Sequence, residues 1–364
     1  MIVEDVIIHL EALAPLAYAE EFDNVGLLVG DKNTKLTGIL VTLDTLETVV
    51  DEAIEKNCNL IVSFHPIILK GLKKITGNSY VEQVVLKAIE NKIAIYAIHT
   101  ALDNTFEGVN AGLCEILGLQ NKTVLIPKTG TLKKLTCYVP EENAEAIKTA
   151  LFDVGAGRIG NYNNCSFNIN GEGTFKGNEN SNPIVGKKLV LQKEKEVQIN
   201  INFEKHLEKS ILKKLFQKHP YEEVAYEIIT LENTNQHIGM GMIGVLEAPM
   251  NGSEFLNFIK NKFNCAVIRH SELLNTTIQK VAVLGGSGSF AIEAAKSAGA
   301  QAFITSDLKY HDFFIAENKL LLADIGHYES EQHIKNILVA YLKKKITNFA
   351  VVLSTINTNP VKYI

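Results

Sequence analysis

The stretch Asn59-Leu60-Ile61-Val62-Ser63-Phe64-His65-Pro66 decides the fold. Its apolar run is too short for a helix and shows no polar alternation, so it reads as a strand buried on both faces. The residues on either side repeat that unit. Residues 38–43 form another apolar run, followed by Asp44 and Thr45 where a helix would be capped, and residues 49–54 continue as that helix. Residues 81–90 read as a helix. Residues 92–98 read as a strand ending at His99, and residues 107–117 as the next helix. Ahead of them, Val6, Ile7, Leu10 and Leu13 sit at helical spacing within residues 4–20. Strands alternating with helices across short loops predict a parallel sheet covered on both faces.

The rhythm changes after Ile126-Pro127. Residues 132–139 alternate apolar and polar, as a half-buried strand does. A helix over 142–154, strands within 165–175 and 188–203, a helix over 207–217 and a strand over 223–231 complete the order β-α-β-β-α-β. That is the ferredoxin-like unit. The first rhythm then returns, with strands at 280–284, 300–305, 320–325 and 348–353 and helices running to 298 and 345. The expected fold is α/β, with two related α/β halves forming one domain that a ferredoxin-like insert interrupts. The expected boundaries are 1–127, 128–233 and 234–364, with 232–235 as the exit linker.

Composition narrows the function classes. A net charge of −5 gives no general attraction to nucleic acid. Lys343-Lys344-Lys345 reads as a solvated helix end. No apolar run reaches the roughly 18 to 20 residues of a membrane span, and Met1-Ile2-Val3-Glu4-Asp5 lacks the features of a signal peptide. The five cysteines are odd in number, scattered and without a C-x-x-C pair. They point to reduced thiols in a cytoplasm rather than to disulfides or a thiolate zinc site.

The chemistry gathers at strand ends. His65, Asp103, Asp307 and His327 each stand at or just beyond the C-terminal end of a different expected strand, where open α/β sheets bind ligands. His327 and Glu331 are four residues apart, on one face of a helical turn. Imidazole nitrogen mixed with carboxylate oxygen suits Zn, Mn or Fe(II) better than Ca or Mg. A carboxylate has two oxygens, so Glu331 is the candidate bridge if two ions bind. His99, four residues before Asp103, is a ligand, a supporting donor or a packed strand-end residue. His311 is a second candidate proton shuttle. Gly285-Gly286-Ser287-Gly288 reads as a tight turn in preference to a phosphate cradle. His219-Pro220-Tyr221-Glu222-Glu223 reads as a helix stop followed by a strand start.

Several stretches together carry a family resemblance. Phe22-Asp23-Asn24-Val25-Gly26-Leu27, Phe64-His65-Pro66-Ile67, His99-Thr100-Ala101-Leu102-Asp103, Thr305-Ser306-Asp307-Leu308-Lys309-Tyr310-His311 and Gly326-His327-Tyr328-Glu329-Ser330-Glu331 resemble, in order, the Nif-three-like dinuclear-metal family. Its members are often labelled GTP cyclohydrolase I type 2. Gly155-Ala156-Gly157, Ile159-Gly160-Asn161-Tyr162 and His219-Pro220-Tyr221-Glu222-Glu223 resemble the PII/CutA-like insert of its longer members. The resemblance implies a metal site with ligands His65, Asp103, His327 and Glu331, and a toroidal homohexamer. The family usually carries two adjacent histidines before the proline. Here Phe64 takes the first place and cannot bind metal, so the expectation is one or two divalent ions per chain, with zinc first and Mn or Fe as alternatives. Ser306 stands where glycine is frequent.

The leading functional expectation is a metal-dependent hydrolase of the GTP-cyclohydrolase kind, acting on a nucleotide-like small molecule with metal-activated water. Two others stand beside it: a non-catalytic metal-holding or small-molecule-sensing oligomeric scaffold, and a metal-dependent phosphoesterase. Fold and metal together do not choose among them.

Overall fold

The structure is a computed structural model and describes all 364 residues. The chain divides into two compact units, residues 1–127 with 236–364, and residues 128–235.

The first unit opens with helix α1 (Val3–Leu13), whose stripe Val3, Val6, Ile7 and Leu10 is buried. Each such side chain contributes about 1.5 to 3 kcal/mol on full burial. The helix is shorter than the expected 4–20 because Pro15 follows and disfavours helical backbone in the residue before it. Then come β1 (Gly26–Val29), β2 (Ile39–Thr42), α2 (Glu47–Glu55), β3 (Leu60–Ser63), α3 (Tyr80–Glu90) and β4 (Ala94–Ala97). A single helical turn, α4 (His99–Asp103), leads to α5 (Val109–Leu117) and β5 (Gln120–Pro127).

The second unit contains β6 (Leu132–Pro140), α6 (Ala144–Asp153), β7 (Phe167–Phe175), β8 (Gln192–Glu204), α7 (Glu208–Lys218) and β9 (Tyr226–Leu231). Its antiparallel sheet has the order β7-β8-β6-β9, as the ferredoxin-like connection requires. Leu135, Cys137 and Val139 of β6 and Val197, Ile199, Ile201 and Phe203 of β8 alternate onto one core. His219 caps this unit internally. Its Nε2–H donates to the Tyr138 carbonyl (3.0 Å) and its Nδ1 accepts the Tyr221 N–H (3.1 Å). Both nitrogens are thus engaged as a neutral ring needs, which accords with the structural reading of that loop.

The chain re-enters the first unit with β10 (Gly239–Met250), α8 (Gly252–Phe263), β11 (Arg269–His270), β12 (Ile278–Ser287), α9 (Ile292–Ser297), β13 (Ala302–Ser306) and β14 (Leu321–Asp324). The last elements are the helical turn α10 (His327–Glu331), α11 (Ile334–Lys345) and β15 (Val351–Leu353). An Asn251/Glu254 capping box starts α8.

Two sheets result, ordered β1-β4-β3-β2-β15 and β11-β14-β13-β12-β10-β5. In the first, β15, β2, β3 and β4 run parallel. In the second, β12, β13 and β14 do. Leu60 and Val62 of β3 face one core with α1 and α11, while Ile61 faces another with α2 and α3. Burial on both faces is why the sequence shows an unbroken apolar run. The two halves exchange edges: β5, from the first segment, pairs with β10, and β15, from the second, pairs with β2.

Candidate metal centre

The C-terminal ends of the parallel strands carry the polar side chains. Asp44 follows β2, His65 follows β3, and His99 and Asp103 follow β4 on α4. In the second sheet Ser287 ends β12, Asp307 follows β13, and His327 and Glu331 follow β14 on α10. The halves are therefore matched in position, each placing an imidazole and a carboxylate four residues apart on a one-turn helix.

Glu331 lies at the centre, with its side chain only 4% exposed. Its Oε2 is 3.1 Å from His65 Nε2 and 3.1 Å from His327 Nε2. One donor atom from each of these three residues falls within 4.8 Å of the others. The far sides of both rings are occupied. His65 Nδ1 is 2.8 Å from Asp44 Oδ1, and His327 Nδ1 is 2.6 Å from Asp307 Oδ2. Asp307 also accepts the Ser287 hydroxyl. Its backbone is left-handed, with φ of 56°, a conformation aspartate tolerates better than most side chains.

With protons on Nδ1, each neutral ring turns an Nε2 lone pair toward a carboxylate oxygen. Three lone pairs converge, and only a cation relieves them: a metal ion, or a second proton on each ring. Without an ion the protons take that place. Burial alone would lower the His65 pKa, but hydrogen bonds to Asp44 and Glu331 and their charges raise it to about 9. Burial likewise opposes the rise at His327, which Asp307 and Glu331 push up to about 11. Burial would raise Glu331, but the two imidazoles hold it down at about 2.

Asp103 stands outside the group of three. Its Oδ1 is shielded from solvent with no hydrogen-bond partner. Burial, aided by the Glu331 charge, pushes its pKa well up, while His65 and His327 partly oppose that. A buried carboxylate oxygen without a donor is costly unless a cation joins it. His99 packs edge-on against His65 at 5.1 Å between ring centroids. Its Nδ1 meets Asp23 Oδ1 at 2.9 Å. Asp23, whose side chain is shielded from solvent, also accepts from the Thr100 N–H (3.0 Å) and hydroxyl (2.5 Å). Those bonds hold its carboxyl at about 2 although burial works the other way. His311 lies on the 3-10 turn Tyr310–Ala316, and its ring contacts are Tyr310 and Phe314 rather than the three clustered imidazoles.

Phe64 is fully buried in the core, 5.0 Å from the His65 ring and 5.5 Å from that of His99. It supports both rings and offers no ligand atom. Gly285 and Gly286 continue β12 instead of turning. Their N–H groups donate to Asn110 Oδ1 (3.1 Å) and Ser330 Oγ (3.0 Å), so neither amide is free for a phosphate. A cleft of about 560 Å³ opens beside the cluster. Asp44, His65, Asp307 and His327 line it, together with Arg269, Tyr328, Pro360 and Tyr363.

Sequence reasoning passed over Asp44, read as a helix cap, and Asp23, read as a turn residue. Helix α2 begins at Glu47 with no side-chain cap, which leaves Asp44 for His65. The signal available was position: Asp44 ends β2 just as His65 ends β3.

Known proteins match this architecture along its length. The Duf34/NIF3 (NGG1p interacting factor 3) family model matches residues 1–360. A Bacillus subtilis (strain 168) relative named GTP cyclohydrolase 1 type 2 homolog is 37% identical, over 99% of this chain and 98% of its own. A Listeria monocytogenes relative of the same name is also 37% identical, over 97% and 96%. Among solved structures, a Bacillus cereus protein related to NIF3 superposes with a TM-score of 0.85 at 35% identity, covering 100% of this chain and 99% of its own. Staphylococcus aureus protein SA1388 gives 0.78 at 32% identity, with coverage of 100% and 99%. The chain belongs to the Duf34/NIF3 family.

Proposed function

We propose that this chain is a metal-dependent hydrolase whose divalent ion is held by His65, Asp103, His327 and Glu331. The observation that carries the reading is the convergence of two imidazole Nε2 atoms on Glu331 Oε2, each ring backed by a carboxylate. The unpartnered Asp103 Oδ1 supports it as a fourth donor. Nitrogen mixed with oxygen favours zinc, with Mn or Fe as alternatives. When bound, such an ion supplies Lewis acidity and lowers the pKa of water. The chain's own residues do the rest. Asp44 and Asp307 orient the ligand rings, Phe64 packs beneath the His65 and His99 rings, and Asp23 fixes His99 with its Nε2 available to move a proton. Residues 1–127 and 234–364 form the metal-binding domain in this reading. Residues 128–233 form a PII/CutA-like insert, and the assembly is a cytoplasmic homohexamer. The names of the relatives point to GTP or a related purine nucleotide as substrate.

One observation favours a second reading, a metal-holding scaffold or a hydrolase of uncharged compounds. The cleft carries Asp44, Asp307, Asp324 and Glu329 against a single guanidinium, that of Arg269. That guanidinium already pairs with Asp324 and donates to the Leu308 carbonyl (2.9 Å). Beyond the bound ion and the two imidazoles, a polyphosphate meets no other unpaired positive group there, so any hold on it falls to the ion itself. The test is metal content per chain followed by GTP turnover with added Zn or Mn. Product formation that is lost in Glu331→Gln supports the hydrolase. A filled site without product favours the second reading, and a chain that takes up no ion refutes both.

A further inference from the structure

The segment after β15, residues 354–364, has no regular secondary structure, yet its first part is closely held. Glu52 on α2 accepts from Ser354 Oγ (2.5 Å), Thr355 N–H (2.8 Å) and Thr355 Oγ1 (2.7 Å). Four residues past Ser354, Thr358 is buried to 6% exposure and donates its hydroxyl to Asp44 Oδ2 at 2.5 Å. Asn359 Nδ2 donates to Glu329 Oε1 at 3.2 Å. Pro360, Val361 and Tyr363 then line the cleft.

Asp44 thereby has both oxygens assigned: Oδ2 takes the Thr358 hydroxyl and Oδ1 faces His65 Nδ1. The other two imidazoles follow the same scheme. Ser287 bonds the Asp307 carboxylate that holds His327, and Thr100 bonds the Asp23 carboxylate that holds His99. In each case a hydroxyl fixes a carboxylate and the carboxylate fixes a ring. The hydroxyls for His99 and His327 come from strand ends or one-turn helices. The one for His65 comes from the segment that also walls the cleft.

We propose that Thr358 is a positioning residue of the metal centre, and that docking of residues 354–363 and binding of the divalent ion reinforce each other through Thr358, Asp44 and His65. The proposal rests on the metal-centre reading above. A carboxylate with one oxygen pinned cannot swing about its terminal torsion, which is otherwise broad. The ring it orients then presents Nε2 to the ion without loss of order. Removal of a group bonded directly to a ligand typically weakens metal affinity 10- to 100-fold, and Thr358, one bond further out through Asp44, belongs at the low end of that range. Coupling of this kind is reciprocal, so the ion must also hold the segment down.

The experiment uses the full chain, stripped of metal, with Zn²⁺ or Mn²⁺ alone as probe against a chromophoric chelator. Thr358→Val keeps the shape and deletes the donor, and Thr358→Ser restores it. The expected result is about a tenfold weaker affinity for Thr358→Val, near wild-type affinity for Thr358→Ser, and a modest drop in ion-free melting temperature for Thr358→Val that Thr358→Ser restores. Hydrogen exchange of residues 354–364 should slow when the wild-type chain takes up Zn²⁺, a readout that stands even if the valine variant fails to fold. Wild-type affinity in Thr358→Val, or exchange indifferent to the ion, overturns the proposal and leaves the metal centre intact. A Thr358→Ser variant as weak as Thr358→Val, with lowered ion-free stability in both, assigns Thr358 a purely structural role and also overturns it. A wild-type chain that binds neither ion refutes the metal centre itself, and the proposal with it.

Discussion

A single methyl group tests the geometry of the centre. Gly286 has φ of +71°, and a Cβ placed there would stand 2.5 Å from Glu331 Oε1 and 3.5 Å from His327 Cε1. Ordinary contact begins at 3.4 Å, so Gly286→Ala requires a displacement of roughly 0.9 Å between that methyl and a buried, doubly engaged carboxylate. Metal–ligand distances tolerate about 0.2 Å. The left-handed backbone adds about 1 to 2 kcal/mol of strain. Gly118 supplies the control, since it has φ of +68° with nothing within 4 Å of its Cβ position. Gly118→Ala therefore carries the backbone strain alone. In urea unfolding of the ion-free chains, both variants should lose about 1 to 2 kcal/mol from backbone strain, with overpacking adding up to about 1 to 3 kcal/mol for Gly286→Ala. Chelator competition should separate them further. Gly286→Ala should bind Zn²⁺ 10- to 100-fold more weakly, the range expected when the support of a ligand is disturbed, and Gly118→Ala should bind like wild type. Equal affinities in the two variants would refute the placement of Glu331 at the centre of the site.

Two further outcomes follow from the charges. His65 and His327 have folded pKa values raised to about 9 and about 11 from 6.5. The stability they lend the ion-free chain is present below 6.5 and lost as pH rises through 9 to 11. The melting temperature of the ion-free chain should fall from pH 7 to 10 while that of the Zn²⁺-loaded chain falls less, and parallel curves would count against the shared-proton arrangement. Glu52, held at about 2 by Lys56, Ser354 and Thr355 against the effect of its burial, behaves oppositely: its contribution is present above 4.5 and lost as pH falls toward 2. Glu52→Gln should cost about 1 to 3 kcal/mol at pH 7 in urea unfolding, with the difference narrowing at pH 3; a pH-independent difference would place its origin elsewhere.

The parallel strands were legible because burial on both faces writes itself as unbroken apolar runs, such as Leu60–Ser63 and Leu321–Asp324. The ligand candidates were legible because imidazoles and carboxylates recur where those runs stop. What the sequence conceals is pairing at long range. Nothing in residues 351–353 says that they lie beside β2, and nothing in residues 120–127 says that they lie beside β10, because an edge strand's apolar pattern does not name its neighbour. The carboxylates behind the rings were hidden for a related reason. Asp44 before α2 satisfies the local pattern of a helix cap, so its bond to His65 is visible only once β2 and β3 are aligned. Gly285-Gly286 looked like a turn because glycine pairs usually make one. Here their lack of side chains leaves room for Val109 and Glu331.

The edge exchange bears on function as well as topology. Two of the proposed ligands, His65 and Asp103, follow strands of the first sheet, and His327 and Glu331 follow a strand of the second. The segment that orients His65 through Asp44 arrives only after β15 has joined the first sheet. No half of the chain contains a complete site, so an ion that binds all four residues binds only the state in which both segments are assembled. Such a ligand stabilises that state by about 2.7 kcal/mol when its free concentration is 100 times its dissociation constant. A protein of this build should therefore gain stability from its ion whether or not it turns over a substrate. Melting-temperature shifts with Zn²⁺ consequently report the centre, and only product formation reports the hydrolase.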